Sequence, residues 1–99
     1  MTQSRNPSLT DLRNLAKQGK LYHVTKKAVA MDGTKSTYQR YREHAEEGYD
    51  HGDFETFGKV KPEELHFLGR VIIRVYRGLY FVIERNYRWM QVYTTRELN

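Results

Sequence analysis

The chain contains no cysteine. Its absence excludes disulfides, cysteine-ligated zinc, iron–sulfur clusters and thiol nucleophiles together. No apolar run approaches the roughly 20 residues of a membrane span, and Met1–Lys20 lacks the apolar stretch of a signal peptide. A cytoplasmic protein without membrane contact is the expectation. Glycine-rich phosphate loops are missing as well, since Gly48 and Gly52 do not stand between a strand and a helix. No Ser or Thr sits in a nucleophile elbow beside a histidine. Nucleotide hydrolysis and triad chemistry therefore have no footing here. Aliphatics are also scarce. Hydrophobic residues make up 38% of the chain and aromatics alone 13%, so large rings must build much of the core. Each buried ring removes roughly 150–250 Å² from water. At 99 residues there is length for one domain and one modest core.

What the chain has in quantity is positive charge, unevenly placed. The net charge of +5 divides into +6 over residues 1–40, −5 over 41–66 and +4 over 67–99. The last third draws its positive charge from arginine alone: Arg70, Arg74, Arg77, Arg85, Arg88 and Arg96. Arginine suits bidentate phosphate contacts and stacking on bases. Solubility and the protection of strand edges account for the same residues without any ligand.

Met1 to Pro7 reads as a disordered N-terminus, followed by a single α+β domain over residues 8–99. Ser8 and Asp11 have the spacing of a capping box, Leu9, Leu12, Leu15 and Ala16 share one helical face, and Gly19 is a stop. Leu21–Val24 predicts a short strand, and Lys26–Met31 fits strand or helix. Asp32–Gly33 marks a turn, after which Thr34 or Ser36 caps a second helix to about Glu47, with Tyr38, Tyr41 and Ala45 as its stripe. Tyr49–Lys61 predicts an acidic loop anchored by Phe54 and Phe57. Pro62, Glu63 and Glu64 open a short helix. Arg70–Tyr76, Leu79–Glu84 and Arg88–Thr95 predict a three-stranded antiparallel meander. The fold expected is N-terminal helices packed on a C-terminal antiparallel sheet of three or four strands.

Alternation along those strands suggests two faces. Val71, Ile73, Val75, Leu79, Phe81, Ile83, Met90 and Val92 form the apolar one. Arg74, Tyr76, Tyr80, Val82, Trp89, Gln91, Tyr93 and Thr95 form the other. An arginine- and ring-rich sheet face can stack unpaired bases while cations hold phosphates, each stacked base contributing roughly 1–3 kcal/mol. The nucleic-acid-binding set is then Arg70, Arg74, Tyr76, Arg77, Tyr80, Arg88, Trp89 and Tyr93. Burial of the same face under a helix or a second copy would make those rings core instead. His44, His51 and His66 stand near Glu47, Asp50 and Asp53, but no metal-ligand spacing forms, and no metal or other cofactor is expected. Metal-free RNA cleavage needs a base, a donor to the leaving oxygen and cations at the phosphate. His23, His44, Arg74, Tyr93 and Arg96 supply those chemistries.

The stretch RVIIRVYRGLYFVIERNYRWMQVYTTREL, residues 70–98, resembles the RelE-like toxins and the wider barnase/EndoU/colicin/RelE group. The likeness lies in two core strands followed by a last strand bearing basic and hydroxyl residues, and covers about a third of the chain. It implies metal-independent endoribonuclease activity with Arg74, Tyr93 and Arg96 as the functional set; His23 joins the catalytic candidates from the residues alone. The shorter N-terminal helices and the acidic segment 50–55 depart from that pattern. RNA is the expected partner. A protein partner, such as a host factor modulated by a phage- or plasmid-type inhibitor, an antitoxin, or a second copy of the chain, fits the many Tyr and segregated charge equally well.

Overall fold

The computed structural model describes residues 6–26, 33–47 and 54–96. Along the chain run α1 (Leu9–Lys17), β1 (Tyr22–Lys26), α2 (Lys35–Glu46), β2 (Phe54–Lys59), a 3-10 helix (Pro62–Leu65), β3 (Val71–Tyr76), β4 (Leu79–Glu84) and β5 (Met90–Thr94). The strands form one antiparallel sheet in the order β2-β1-β5-β4-β3.

Local chemistry sets the helix ends. The Ser8 hydroxyl accepts the Asp11 N–H at 3.2 Å, and the Asp11 carboxylate accepts the Ser8 N–H at 2.9 Å, closing the capping box. At the other end Gly19 takes φ +69°, its N–H bonds the Ala16 carbonyl, and the Lys20 N–H bonds that of Leu15. This is the Schellman closure that a left-handed glycine permits. Thr34 caps α2 by accepting the Thr37 N–H at 3.2 Å.

The sheet is covered on both sides. Over one face lies α2, packing Tyr41 and Ala45, with half-buried Tyr38, on Val24, Phe54, Leu79, Phe81, Ile83, Met90 and Val92. Over the other lies α1 with the 3-10 helix, packing Leu12, Ala16, Leu21, Val60 and Leu65 on Val82 and Tyr93. β4 is consequently buried from both sides. The N-terminal half reaches the meander through β1, which inserts beside β5 with His23 opposite Tyr93 and Val24 opposite Val92.

Three expectations are corrected. Among the described residues the sheet has five strands rather than three or four. Phe54–Lys59, expected within a loop, is a strand: β1 supplies a hydrogen-bonding partner that the weak alternation of FETFGK does not advertise. Phe54 is core, whereas Phe57 is half exposed. The face assignment also fails. Arg77 and Gly78 form a two-residue turn, both with positive φ, so Tyr76 pairs with Leu79 and Ile73 with Val82. Even-numbered residues of β3 therefore share a face with odd-numbered residues of β4. Arg74 and Tyr76 lie on the α2 side with Phe81, while Val71, Ile73 and Val75 lie on the α1 side with Tyr80 and Val82.

Residues 1–5 of the expected N-terminal tail, 27–32 and 48–53 lie outside the described residues, and with them His51, Asp50 and Asp53. Among the described residues no helix is long and apolar enough to cross a membrane.

Candidate nucleic-acid interface

Two of the sequence-derived catalytic residues meet. His23 and Tyr93 are cross-strand partners with ring centroids 5.5 Å apart, and Phe57 continues the row at 6.0 Å from His23. His23 Nε2 lies 2.7 Å from Gln91 Oε1. If the amide oxygen is the acceptor, Nε2 carries the proton and Nδ1 is left as the basic nitrogen. Tyr93 is only 4% exposed, beneath α1 and the 3-10 helix. Burial, and then the negative charge of Glu64, hold its phenol well above the usual tyrosine range. It stays protonated at neutral pH and cannot serve there as a proton acceptor.

Arg74 does not join them. It stands on β3, two strands from β5, and faces the α2 side, whereas His23 and Tyr93 face the α1 side. Arg96 follows β5 beyond the Tyr22–Thr94 pair, with its N–H on the Thr94 hydroxyl at 3.3 Å. The expected four-residue catalytic set is thus split by the sheet.

The expected binding set is split in the same way. Tyr80, Trp89 and Tyr93 belong to the α1-side cluster, and Trp89 stacks on Phe67 with centroids 5.2 Å apart. Arg88 is committed to Glu84: its Nε donates to Oε1 at 3.3 Å, and its own N–H to the same oxygen at 3.1 Å. The Asn86 N–H adds a third bond at 2.9 Å. Burial raises the affinity of the Glu84 carboxyl for its proton, but hydrogen bonds from the Arg88 side chain and from the Arg88 and Asn86 backbone, with the Arg88 charge, outweigh it. The group sits below the usual carboxylate range. This arrangement holds the β4–β5 turn.

Arg70, Arg74, Tyr76 and Arg77 remain together on β3 and at its ends, and two residues from α2 complete them. The Arg42 guanidinium lies 4.4 Å from the centroid of Tyr76 and 5.7 Å from that of Tyr38. Both distances fall within the range of cation–π attraction. The stacking fixes the plane of the guanidinium, and so the direction in which its N–H groups point. Arg42 Nε is buried and has no hydrogen-bond partner among the described residues. Arg74 projects from the same sheet face two residues before Tyr76 and is exposed. Arg77 is exposed in the turn beyond it. The arrangement offers planar, oriented donors beside a tyrosine ring, which suits an oxyanion and a flat unsaturated group.

The sequence reading missed Arg42 and gave Tyr38 only a place in the apolar stripe of α2. Their spacing of four residues on α2 places them on one helix face, and that was the available signal. Which strand lay under that face was not visible.

Among the described residues no group of three or more His, Asp or Glu is placed to hold a metal ion. His44 packs edge-on against Phe54, with centroids 6.5 Å apart. Comparison with models of protein families, with curated proteins and with solved structures found no match for this chain.

Proposed function

We propose that this chain binds single-stranded RNA along the α2–β3 side of its sheet, with Arg42 and Arg74 holding phosphates and Tyr76 meeting a base. The observation that carries the proposal is the Arg42 guanidinium stacked over Tyr76, its Nε buried and without a hydrogen-bond partner among the described residues. A buried donor without an acceptor costs about 1–3 kcal/mol, which a phosphate oxygen recovers as the guanidinium turns on the ring to meet it. Charge-assisted contacts of this kind are among the stronger hydrogen bonds. The all-arginine cation set of the last third supports a polyanion as the ligand. The proposal extends to binding and not to turnover, because Arg74 and the His23–Tyr93 pair lie on opposite faces.

The test is fluorescence anisotropy with labelled 20-mer oligonucleotides of single-stranded RNA, single-stranded DNA and duplex RNA across a salt series. Wild-type affinity for single-stranded RNA should fall linearly with salt on a log–log scale through counterion release. Arg42→Ala and Arg74→Ala should each weaken binding about tenfold, a loss of about 1.4 kcal/mol. Gln91→Ala, on the other face, should change it little. No salt-sensitive binding to any of the three, or equal losses at Arg42 and Gln91, would remove the proposal.

A further inference from the structure

The two ends of the sheet differ in how they present their open edges. β2 carries Glu55, Gly58 and Lys59, and its pairing with β1 is interrupted by a register shift at Tyr22–His23. Charges, glycine and irregular pairing are the devices by which natural sheets discourage strand addition. β3 ends the sheet on the other side and has only β4 beside it among the described residues. Its span is regular and rich in β-branched residues: Val71, Ile72 and Ile73 are half-buried, and Val75 is 41% exposed. Only Arg74 interrupts it, flanked by Arg70 and Arg77.

The direction of its backbone groups follows from the bonds around it. The Arg85 N–H donates to the Arg70 carbonyl, and the Glu84 N–H to the Trp89 carbonyl. Odd-numbered residues of β4 therefore bond β3, and even-numbered ones bond β5. On β3 it follows that Arg70, Ile72, Arg74 and Tyr76 turn their main chain toward β4. Val71, Ile73 and Val75 turn theirs outward.

We propose that this edge pairs antiparallel with β3 of a second copy, Ile73 opposite Ile73, about a twofold axis normal to the sheet. Neighbouring registers of a symmetric pair are worse. Centred on Ile72, Arg70 of each copy opposes Arg74 of the other; centred on Arg74, the two Arg74 side chains oppose each other. Like charges directly opposite destabilise a pair. Centred on Ile73, Arg74 opposes Ile72 and Arg70 opposes the Tyr76 ring. On the α1 side Val71 opposes Val75, and Ile73 meets its own copy. All three outward-facing residues then exchange both backbone bonds, so this register separates the arginines and also satisfies every outward group of the strand. α2 packs over β1, β2, β4 and β5 and meets β3 through Arg42 on the Tyr76 ring, at the turn end of the strand. A twofold axis normal to the sheet keeps both α2 layers on one side, which brings the two Arg42–Tyr76 stacks to flank the seam. The dimer itself does not depend on RNA binding.

Light scattering after gel filtration, without RNA, at roughly 100 μM provides the first measurement. Wild type should show about twice the 11.8 kDa mass of one chain. Val75→Lys changes an exposed side chain, so it should keep the far-UV spectrum and return the mass to that of a monomer. The chain has no cysteine, so single thiols report the register. Hydrogen-bonded partners lie about 5.5 Å apart at Cα, within disulfide reach. Ile73→Cys should therefore give a disulfide-linked dimer on mild oxidation. Val75→Cys should not, because its two copies stand four residues out of register. A monomeric wild type, a dimer that survives Val75→Lys, or cross-linking at position 75 in preference to 73 would each overturn the proposal.

Discussion

Replacing Gly33 with alanine tests how the second helix is seated. Gly33 is buried, takes φ +77° and directly precedes the Thr34 cap of α2. A methyl group built on it would overlap Trp89 Cα, C and N, the backbone from which β5 starts. Two costs combine. An L-residue held in the left-handed region loses roughly 1–2 kcal/mol. Forcing a methyl group against backbone that cannot swing aside adds roughly 1–3 kcal/mol. The expected loss is about 2–5 kcal/mol, against a total stability on the order of 5–15 kcal/mol for a small domain. At about 4–8 °C per kcal/mol for this size, the melting midpoint should fall by at least about 8 °C. Thermal unfolding followed by far-UV circular dichroism reads it, with Gly58→Ala as the control. Gly58 has open space around it and no positive φ, so alanine there should be neutral or stabilise by up to about 1 kcal/mol. A Gly33→Ala protein melting within about 3 °C of wild type would refute the close approach of this turn to β5.

Arg77 occupies a left-handed conformation, φ 48°, at the first position of the β3–β4 turn, where asparagine is the favoured residue before glycine. Arg77→Asn should raise the midpoint by several degrees, about 1 kcal/mol at most; an unchanged or lower midpoint would count against the turn geometry. Glu84 holds its carboxyl below the normal value of 4.5 in the folded state. Its contribution is therefore fully present above about pH 4.5 and lost as pH falls through the folded value. Glu84→Gln should melt lower than wild type at pH 7, and the gap should narrow by pH 3; a gap constant over that range would show that the carboxylate's charge is not what holds the turn.

Much of the local structure was legible in the residues themselves. Ser8 with Asp11, Gly19, Thr34 and Pro62 mark helix ends through bonds made within a few positions of the chain, and the structure uses each of them there. The three strands of the meander announce themselves by β-branched and aromatic runs. β2 did not, because FETFGK becomes a strand only when β1 lies beside it.

The faces of the sheet were undecided for a related reason. Alternation groups the residues of one strand, but the phase between two strands depends on the turn that joins them. Here the two-residue turn at Arg77–Gly78 pairs Tyr76 with Leu79, and so separates Arg74 and Tyr76 from Tyr80 and Tyr93. The site was beyond reach for the same reason. Composition pointed to arginine and tyrosine, but a helix crossing the α2 face selected which pair would meet. Arg42 and Tyr76 stand about a third of the chain apart in sequence, and only the packing of α2 on the sheet brings the guanidinium over the ring. What the sequence determined by itself was where elements begin and end, since those bonds are local. What the tertiary structure decided was which face each ring and each charge would occupy, since that depends on register and on which layer covers which side.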